Sequence, residues 1–232
     1  CKMVRSLAKG GLSNVWGASM LPFLPNDIKD WPFGIKDLEP HYRSVLSFVP
    51  LAGYEDDLAS HFPIYKNNIS QYKKSNQIES FMLDLEKNKN ILNEKGFIFG
   101  HSRLAVNFEP QNTNFGCNYC GLCLYGCPYK LIYSSTHTLK VLMENPNFKY
   151  IGGILVEKLI ENNGEVIIKA LSINNSEKVE YKASRVLLGA GTISSTRIMM
   201  ESLGAYNQPI VFKHSDIFQI PFIRYRKTEN VM

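Results

Sequence analysis

Ser6-Leu7-Ala8-Lys9-Gly10-Gly11-Leu12-Ser13-Asn14-Val15-Trp16-Gly17 is the stretch from which the rest of the chain is read. A Gly-Gly pair lets the backbone take positive φ and approach a flat ligand closely, because no Cβ stands in the way. Ser13 and Asn14 then supply a hydroxyl and an amide at the point of closest approach. Two readings of the stretch by itself compete: a loop that hugs a ligand, and a glycine turn before a helix that buries Val15 and Trp16.

Two further motifs follow in order, Cys120-Gly121-Leu122-Cys123-Leu124-Tyr125-Gly126-Cys127 and Ala183-Ser184-Arg185-Val186-Leu187-Leu188-Gly189-Ala190-Gly191. The ordered set resembles the FAD-dependent glucose-methanol-choline (GMC) oxidoreductases over residues 1–205. In that family a Gly-Gly-x-Ser-x-x-Trp-Gly loop lies against the flavin, and a late strand ending in Ala-Gly returns to the nucleotide-binding sheet. The resemblance implies that Gly10, Gly11, Ser13 and Asn14 lie near the isoalloxazine or its ribityl-phosphate arm, with Trp16 packed behind them. It also implies that the strand around Val156 passes the adenine and that Ala190 and Gly191 pack against the cofactor.

The composition excludes several alternatives. A chain of 232 residues, 44% hydrophobic and 20% charged, has a globular composition with enough apolar side chain for a sizeable core. Its formal charge of +5 comes from Lys and Arg scattered among 21 acids, without the dense basic stripe of a nucleic-acid binder. No uncharged run is both long and apolar enough to span a bilayer. The N-terminal residues have no charged-then-apolar signal pattern, and the chain lacks the Gly-x-Gly-x-x-Gly unit that the family places before its Gly-Gly loop. The expectation is an internal piece of a longer enzyme, holding part of an FAD site and inactive by itself; the alternatives are an iron-sulfur electron-transfer module of a dehydrogenase and a non-catalytic flavin-fold remnant.

Residues 18–33, with three prolines, read as an ordered extended loop. Asp37 is expected to cap a helix over 38–49 whose inner face carries Leu38, Tyr42, Val45, Leu46 and Val49, with His41 on the exposed side. A second amphipathic helix is expected over 76–93 through Ile78, Phe81, Met82, Leu85 and Leu92. Phe97 to Phe108 read as short strands with His101 and Arg103 between them.

Cys117, Cys120, Cys123 and Cys127, followed by Pro128, have the spacing C-x2-C-x2-C-x3-C-P of bacterial ferredoxins. One reading is therefore an iron-sulfur cluster. In two-cluster ferredoxins, however, the fourth cysteine of such a run serves a second cluster, and here only Cys1 is spare. Zinc is poorly served by four cysteines within eleven residues. The GMC resemblance supplies the other reading, a Cys-Gly-x-Cys-x-x-Gly-Cys run of structural thiols packed beside the flavin domain. The family's Ala-Lys after the last cysteine is only half matched, by Lys130 in Tyr129-Lys130-Leu131.

Ser134 or Ser135 is expected to cap a helix reaching Glu144, with Leu139, Leu142 and Met143 inward. Runs over 148–160, 165–173 and 177–181, separated by Asn162-Asn163-Gly164 and Asn174-Asn175-Ser176, form an antiparallel meander. Arg185 to Leu188 reads as a buried strand and Thr192 to Leu203 as a helix. Its N-terminus can face an anion or a ring edge.

The fold class expected is α/β: a partial Rossmann-like FAD-binding domain with a three-stranded antiparallel meander and a helical insertion. The resemblance divides the chain into 1–35, an FAD-domain segment with the flavin loop; 36–109, a lid or insertion; 110–205, the FAD domain continued; and 206–232, the start of a substrate domain. It implies hydride transfer from a CH-OH carbon of an alcohol or sugar-like small molecule to FAD, with a histidine base beyond Met232 rather than His214. The electron acceptor is not specified, and neither nucleic acid nor a transmembrane segment is expected. Clustered cysteines without secretory features suggest the cytoplasm.

Overall fold

The computed structural model describes residues 6–108, 117–212, 221 and 223–229. Cys1 and His214 lie outside the described residues. The chain divides into two units, Cys1–Leu12 with Thr138–Pro221, and Ser13–His137 with Phe222–Met232.

In the second of these, residues 103–107 form the spine. Leu104 exchanges two 2.8 Å backbone hydrogen bonds with Ala52, while Met20 N-H reaches Arg103 O and Ala105 N-H reaches Ala18 O. On the same spine, Tyr133 N-H donates to Ala105 O and Asn107 N-H to Leu131 O. The strands expected over 97–108 are thus reduced to isolated bridges at Leu104 and Val106. The neighbours are short and converge from several directions, so no ladder extends beyond a residue or two. Ala18, Val49, Ala105, Val106, Leu131 and Ile132 are buried around this spine. Leu46, Leu51 and Tyr65 make a second cluster.

Helix α1 spans Ile35–Leu46, starting three residues before the expected 38–49. Gly34 is the N-cap, and Asp37 acts from inside the helix, its Oδ2 accepting from Gly34 N-H at 2.8 Å. The earlier start puts Pro40 in the second turn, where it cannot donate to the carbonyl one turn back. Leu46 and Val49 are buried and His41 is exposed as expected, but Val45 is exposed as well.

The single helix expected over 76–93 is two, α2 (Asn76–Lys87) and α3 (Lys89–Glu94). Asn88 separates them because its side-chain amide donates to Asp84 O at 2.8 Å, competing with the helical backbone. Ile78, expected to face inward, is exposed.

Helix α4 (Ser135–Leu142) starts where Ser134 or Ser135 was expected to cap it and ends two residues short of Glu144. Leu142 and Met143 are exposed, contrary to the inward face expected.

In the other unit, β1 (Ile154–Asn162), β2 (Glu165–Ser172) and β3 (Lys178–Ala183) form the antiparallel meander. Asn162 pairs with Glu165 across a two-residue turn in which Asn163 and Gly164 have φ of 48° and 84°. Two positive φ values are what a type I′ hairpin needs, and Asn-Gly supplies them with little strain. A register shift between Val156 and Lys158 puts a bulge in β1.

Helix α5 (Thr192–Leu203) packs on β1. Ser202 Oγ accepts from Leu159 N-H at 2.8 Å and donates to Ile198 O at 2.6 Å, tying the helix to the edge strand. Ile198 is buried, whereas Met199 and Leu203 are exposed. The helix closes at Gly204, which is left-handed, and Ala205 N-H donates to Met200 O at 3.0 Å.

The strand expected over 185–188 is absent. Residues 185–188 have no strand structure and Leu187 is 97% exposed. A strand requires a hydrogen-bonding neighbour, and the sheet of the described residues consists of β1, β2 and β3 alone. The described residues are therefore mixed α and β, with the expected three-stranded antiparallel meander as their sheet.

Candidate functional site

Three consecutive residues, Tyr133, Ser134 and Ser135, grip the loop over 13–16 in reverse order. Trp16 Nε1 donates to Tyr133 O at 2.8 Å, Ser134 Oγ to Asn14 Oδ1 at 2.8 Å, and Ser135 N-H to Ser13 Oγ at 3.0 Å. Ser13 Oγ also lies 3.0 Å from Ser135 Oγ and 3.3 Å from Ser134 Oγ. The strap can do this because Tyr133 is fixed to the spine at Ala105 and α4 begins at Ser135, where first-turn amides are available to side chains such as Ser13 Oγ.

The cysteine loop borders the same residues. A Cβ on Gly126 would stand 3.3 Å from Asn14 O, and one on Gly17 would stand 3.4 Å from Leu124 Cδ2. Gly126 has φ of 99°, a backbone conformation open to glycine and little else. Small residues at 17 and 126 thus let the two loops approach.

Gly11–Asn14 form a short 3-10 turn rather than a helix that buries Val15, which is exposed. Gly10 and Gly11 have φ of 88° and 57°, and nothing lies within 4 Å of where a Gly11 Cβ would be. Val156 is half-buried opposite Ala170 at the β1 bulge. Ala190 and Gly191 precede α5; Ala190 N-H donates to Ser195 Oγ, and Gly191, with φ of 82°, caps the helix without a side-chain bond.

All four cysteines of the run are free thiols, and their environments differ. Cys117 and Cys127 pack against the spine core, whereas Cys120 and Cys123 are exposed. Burial pushes the Cys123 thiol above its ordinary value, and the neighbouring Cys117 and Cys120 push it further the same way. Among the described residues, no group of three or more His, Cys, Asp or Glu side chains is placed to hold a metal ion. The cluster reading of the run therefore finds no support among the described residues.

The strap's neighbour His137 is held below its ordinary value, first by burial and then by Lys130, which keeps the imidazole neutral. The hydroxyls and amide around Ser134 are neutral too.

A second polar cluster was not anticipated from the sequence. Asp56 accepts from Arg103 Nη2 at 3.0 Å, from His101 N-H at 2.6 Å, and lies 3.1 Å from His101 Nδ1. Arg103 is 2% exposed and Asp56 supplies its counter-charge. Tyr54 and Tyr72 wall this cluster: Tyr54 stacks 4.4 Å from the His101 ring, and Tyr72 donates to Ser102 O at 3.0 Å. The alternation of His101 and Arg103 hints at a shared face, but nothing in the sequence couples them to a carboxylate 45 residues earlier.

Among the described residues, no helix is long and apolar enough to cross a membrane. No curated protein matches the chain. A family model described as GMC oxidoreductase matches residues 70–214, more than half of the chain, and covers the cysteine run, the strap, the meander and α5. The chain therefore belongs to the GMC oxidoreductases, whose N-terminal domain binds FAD.

Proposed function

We propose that the chain forms part of an FAD-dependent dehydrogenase or oxidase that takes a hydride from the CH-OH group of an alcohol or sugar-like small molecule. The observation that carries this reading is the positive φ of Gly10 and Gly11 in a motif that continues with Ser13 and Asn14, both held by the strap. Glycines at positive φ and neutral hydroxyl and amide groups suit the flat face and polar edge of a flavin.

In this reading the flavin, when bound, supplies the hydride acceptor. The chain's own residues bind and orient it. Gly10 and Gly11 allow close approach, Ser13 and Asn14 offer hydrogen bonds, and Trp16 backs the loop through its bond to Tyr133. Val156, and separately Ala190 and Gly191, are proposed as nucleotide-contacting positions of their own unit. No described residue is assigned as the proton-abstracting base. The four-part division into 1–35, 36–109, 110–205 and 206–232 is retained as the proposed organisation, with a cytoplasmic location in keeping with clustered thiols. The run from Cys117 to Cys127 is assigned a packing role.

The test is anaerobic mixing of the full-length protein with a panel of primary alcohols and aldoses. Bleaching of the flavin absorption by members of the panel is expected. A flavin that is bound but never reduced by any CH-OH donor would contradict the substrate class.

A further inference from the structure

The two exposed thiols of the cysteine loop sit at the ends of Cys120-Gly121-Leu122-Cys123, a C-x-x-C dithiol. Fully extended, three residue steps would part their Cα atoms by roughly 10 Å, beyond the roughly 7 Å that a disulfide can span. The loop is not extended. Tyr119 and Gly121 have φ of 57° and 72°, and the chain bends at Gly121.

Both sides of the bend are fastened. Tyr119, immediately before Cys120, accepts Lys73 N-H on its phenol oxygen at 2.7 Å, and its ring lies 6.0 Å from that of Phe108. A left-handed φ is costly for a bulky residue, so this clamp holds a turn that the Tyr119 backbone alone would avoid. Beyond the bend, Tyr125 N-H donates to Leu122 O at 2.9 Å and Gly126 N-H to Cys123 O at 3.2 Å. Cys117 and Cys120 both lie near enough to Cys123 to raise its thiol. Of those two, Cys120 is the one open to a soluble reagent, because Cys117 is half-buried against the spine core. Among the described residues no metal-binding group competes for these thiols.

We propose that Cys120 and Cys123 are a redox-active dithiol that closes to a disulfide by exchange with a low-molecular-weight disulfide. One protein thiolate attacks a sulfur of the small disulfide, forming a mixed disulfide and releasing one small thiol. The second protein thiolate then attacks the protein sulfur of that bond, which closes the ring and releases the other small thiol. The protein loses two electrons and two protons, and the small disulfide gains them. The loop that closes borders Asn14 and Gly17 through Gly126 and Leu124, so its oxidation state bears on the packing beside the strap. The exchange needs no flavin and is separate from the proposed dehydrogenase activity.

The test incubates the full-length protein anaerobically with oxidised glutathione, alkylates the remaining thiols, and maps the peptides by mass spectrometry. A peptide with Cys120 linked to Cys123 is expected, returning to two free thiols in excess reduced glutathione, while Cys117 and Cys127 stay reduced throughout. Cys120→Ser and Cys123→Ser each keep one thiol of the pair. Glutathione should stay attached to that thiol about tenfold longer than in the unsubstituted protein, where the neighbouring sulfur displaces it. Linkage of Cys120 or Cys123 to any other cysteine, or no oxidation at either, would overturn the inference. A mixed disulfide equally persistent in all three proteins would do the same.

Discussion

Ser134 Oγ donates a 2.8 Å hydrogen bond to Asn14 Oδ1 across a sequence separation of 120 residues. The contact joins the start of α4 to the loop that follows the glycine pair, and the cysteine loop borders the same asparagine through Gly126. Two segments that the sequence presents as separate motifs thus constrain one side chain and its backbone.

Gly126→Ala is expected to destabilise the protein by about 2 kcal/mol, because φ of 99° is strained for any residue with a Cβ. The added methyl would also stand 3.3 Å from Asn14 O. Chemical denaturation reads the effect, and a change within error of zero would mean that the two loops are not in close contact.

Trp16→Phe keeps an aromatic ring and removes the Nε1 donor to Tyr133 O. A lost hydrogen bond that leaves a partly buried carbonyl unpaired should cost about 1–2 kcal/mol. Equal melting temperatures for the two proteins would rule out the bond as a fastening of the strap.

Asp56→Ala leaves Arg103 buried without its counter-charge and should cost about 3 kcal/mol, seen as a lower denaturation midpoint. The pH dependence has a definite sign. Burial alone would raise the Asp56 carboxyl, but the His101 backbone N-H, the Arg103 guanidinium and the His101 ring together bring it below its ordinary 3.8. A depressed carboxylate stabilises the fold above that ordinary value, and the contribution is lost as pH falls through the lower folded value. The stability gap between the unsubstituted protein and Asp56→Asn should be constant near neutrality and shrink in strong acid. A gap that widens on acidification would contradict the assignment.

Cys120→Ser and Cys123→Ser, at exposed positions, should change stability by less than about 0.5 kcal/mol. Cys127→Ser, against the core, should be clearly destabilising by urea titration. Equal and large losses at all four positions would point instead to a shared ligand.

Where the pattern was local, the sequence was enough. Asn163-Gly164 specifies its hairpin, the asparagine-rich turns separate β1 to β3 although β1 starts at Ile154 rather than Phe148, and Gly191 and Gly204 bracket α5 at the expected residues. Where partners are distant, it was not. Val186 to Leu188 have the composition of a buried strand, but strand formation depends on a neighbour that local sequence does not specify. The one-helix reading of 76–93 failed at Asn88 because a single side-chain amide competes with the backbone. Within the candidate site, Ser13, Asn14 and Trp16 were legible from the glycine-rich motif. The strap was not, since Ser134 and Ser135 look like ordinary helix caps until the fold brings Asn14 to them.

The most direct test of the flavin reading is a visible absorption spectrum, with iron and acid-labile sulfide analysis, of the full-length protein purified anaerobically. The account predicts the paired absorption bands of a bound flavin without stoichiometric iron or sulfide. A colourless protein would contradict the flavin surface at Gly10 to Trp16, and stoichiometric iron with sulfide would contradict the packing role given to Cys117, Cys120, Cys123 and Cys127.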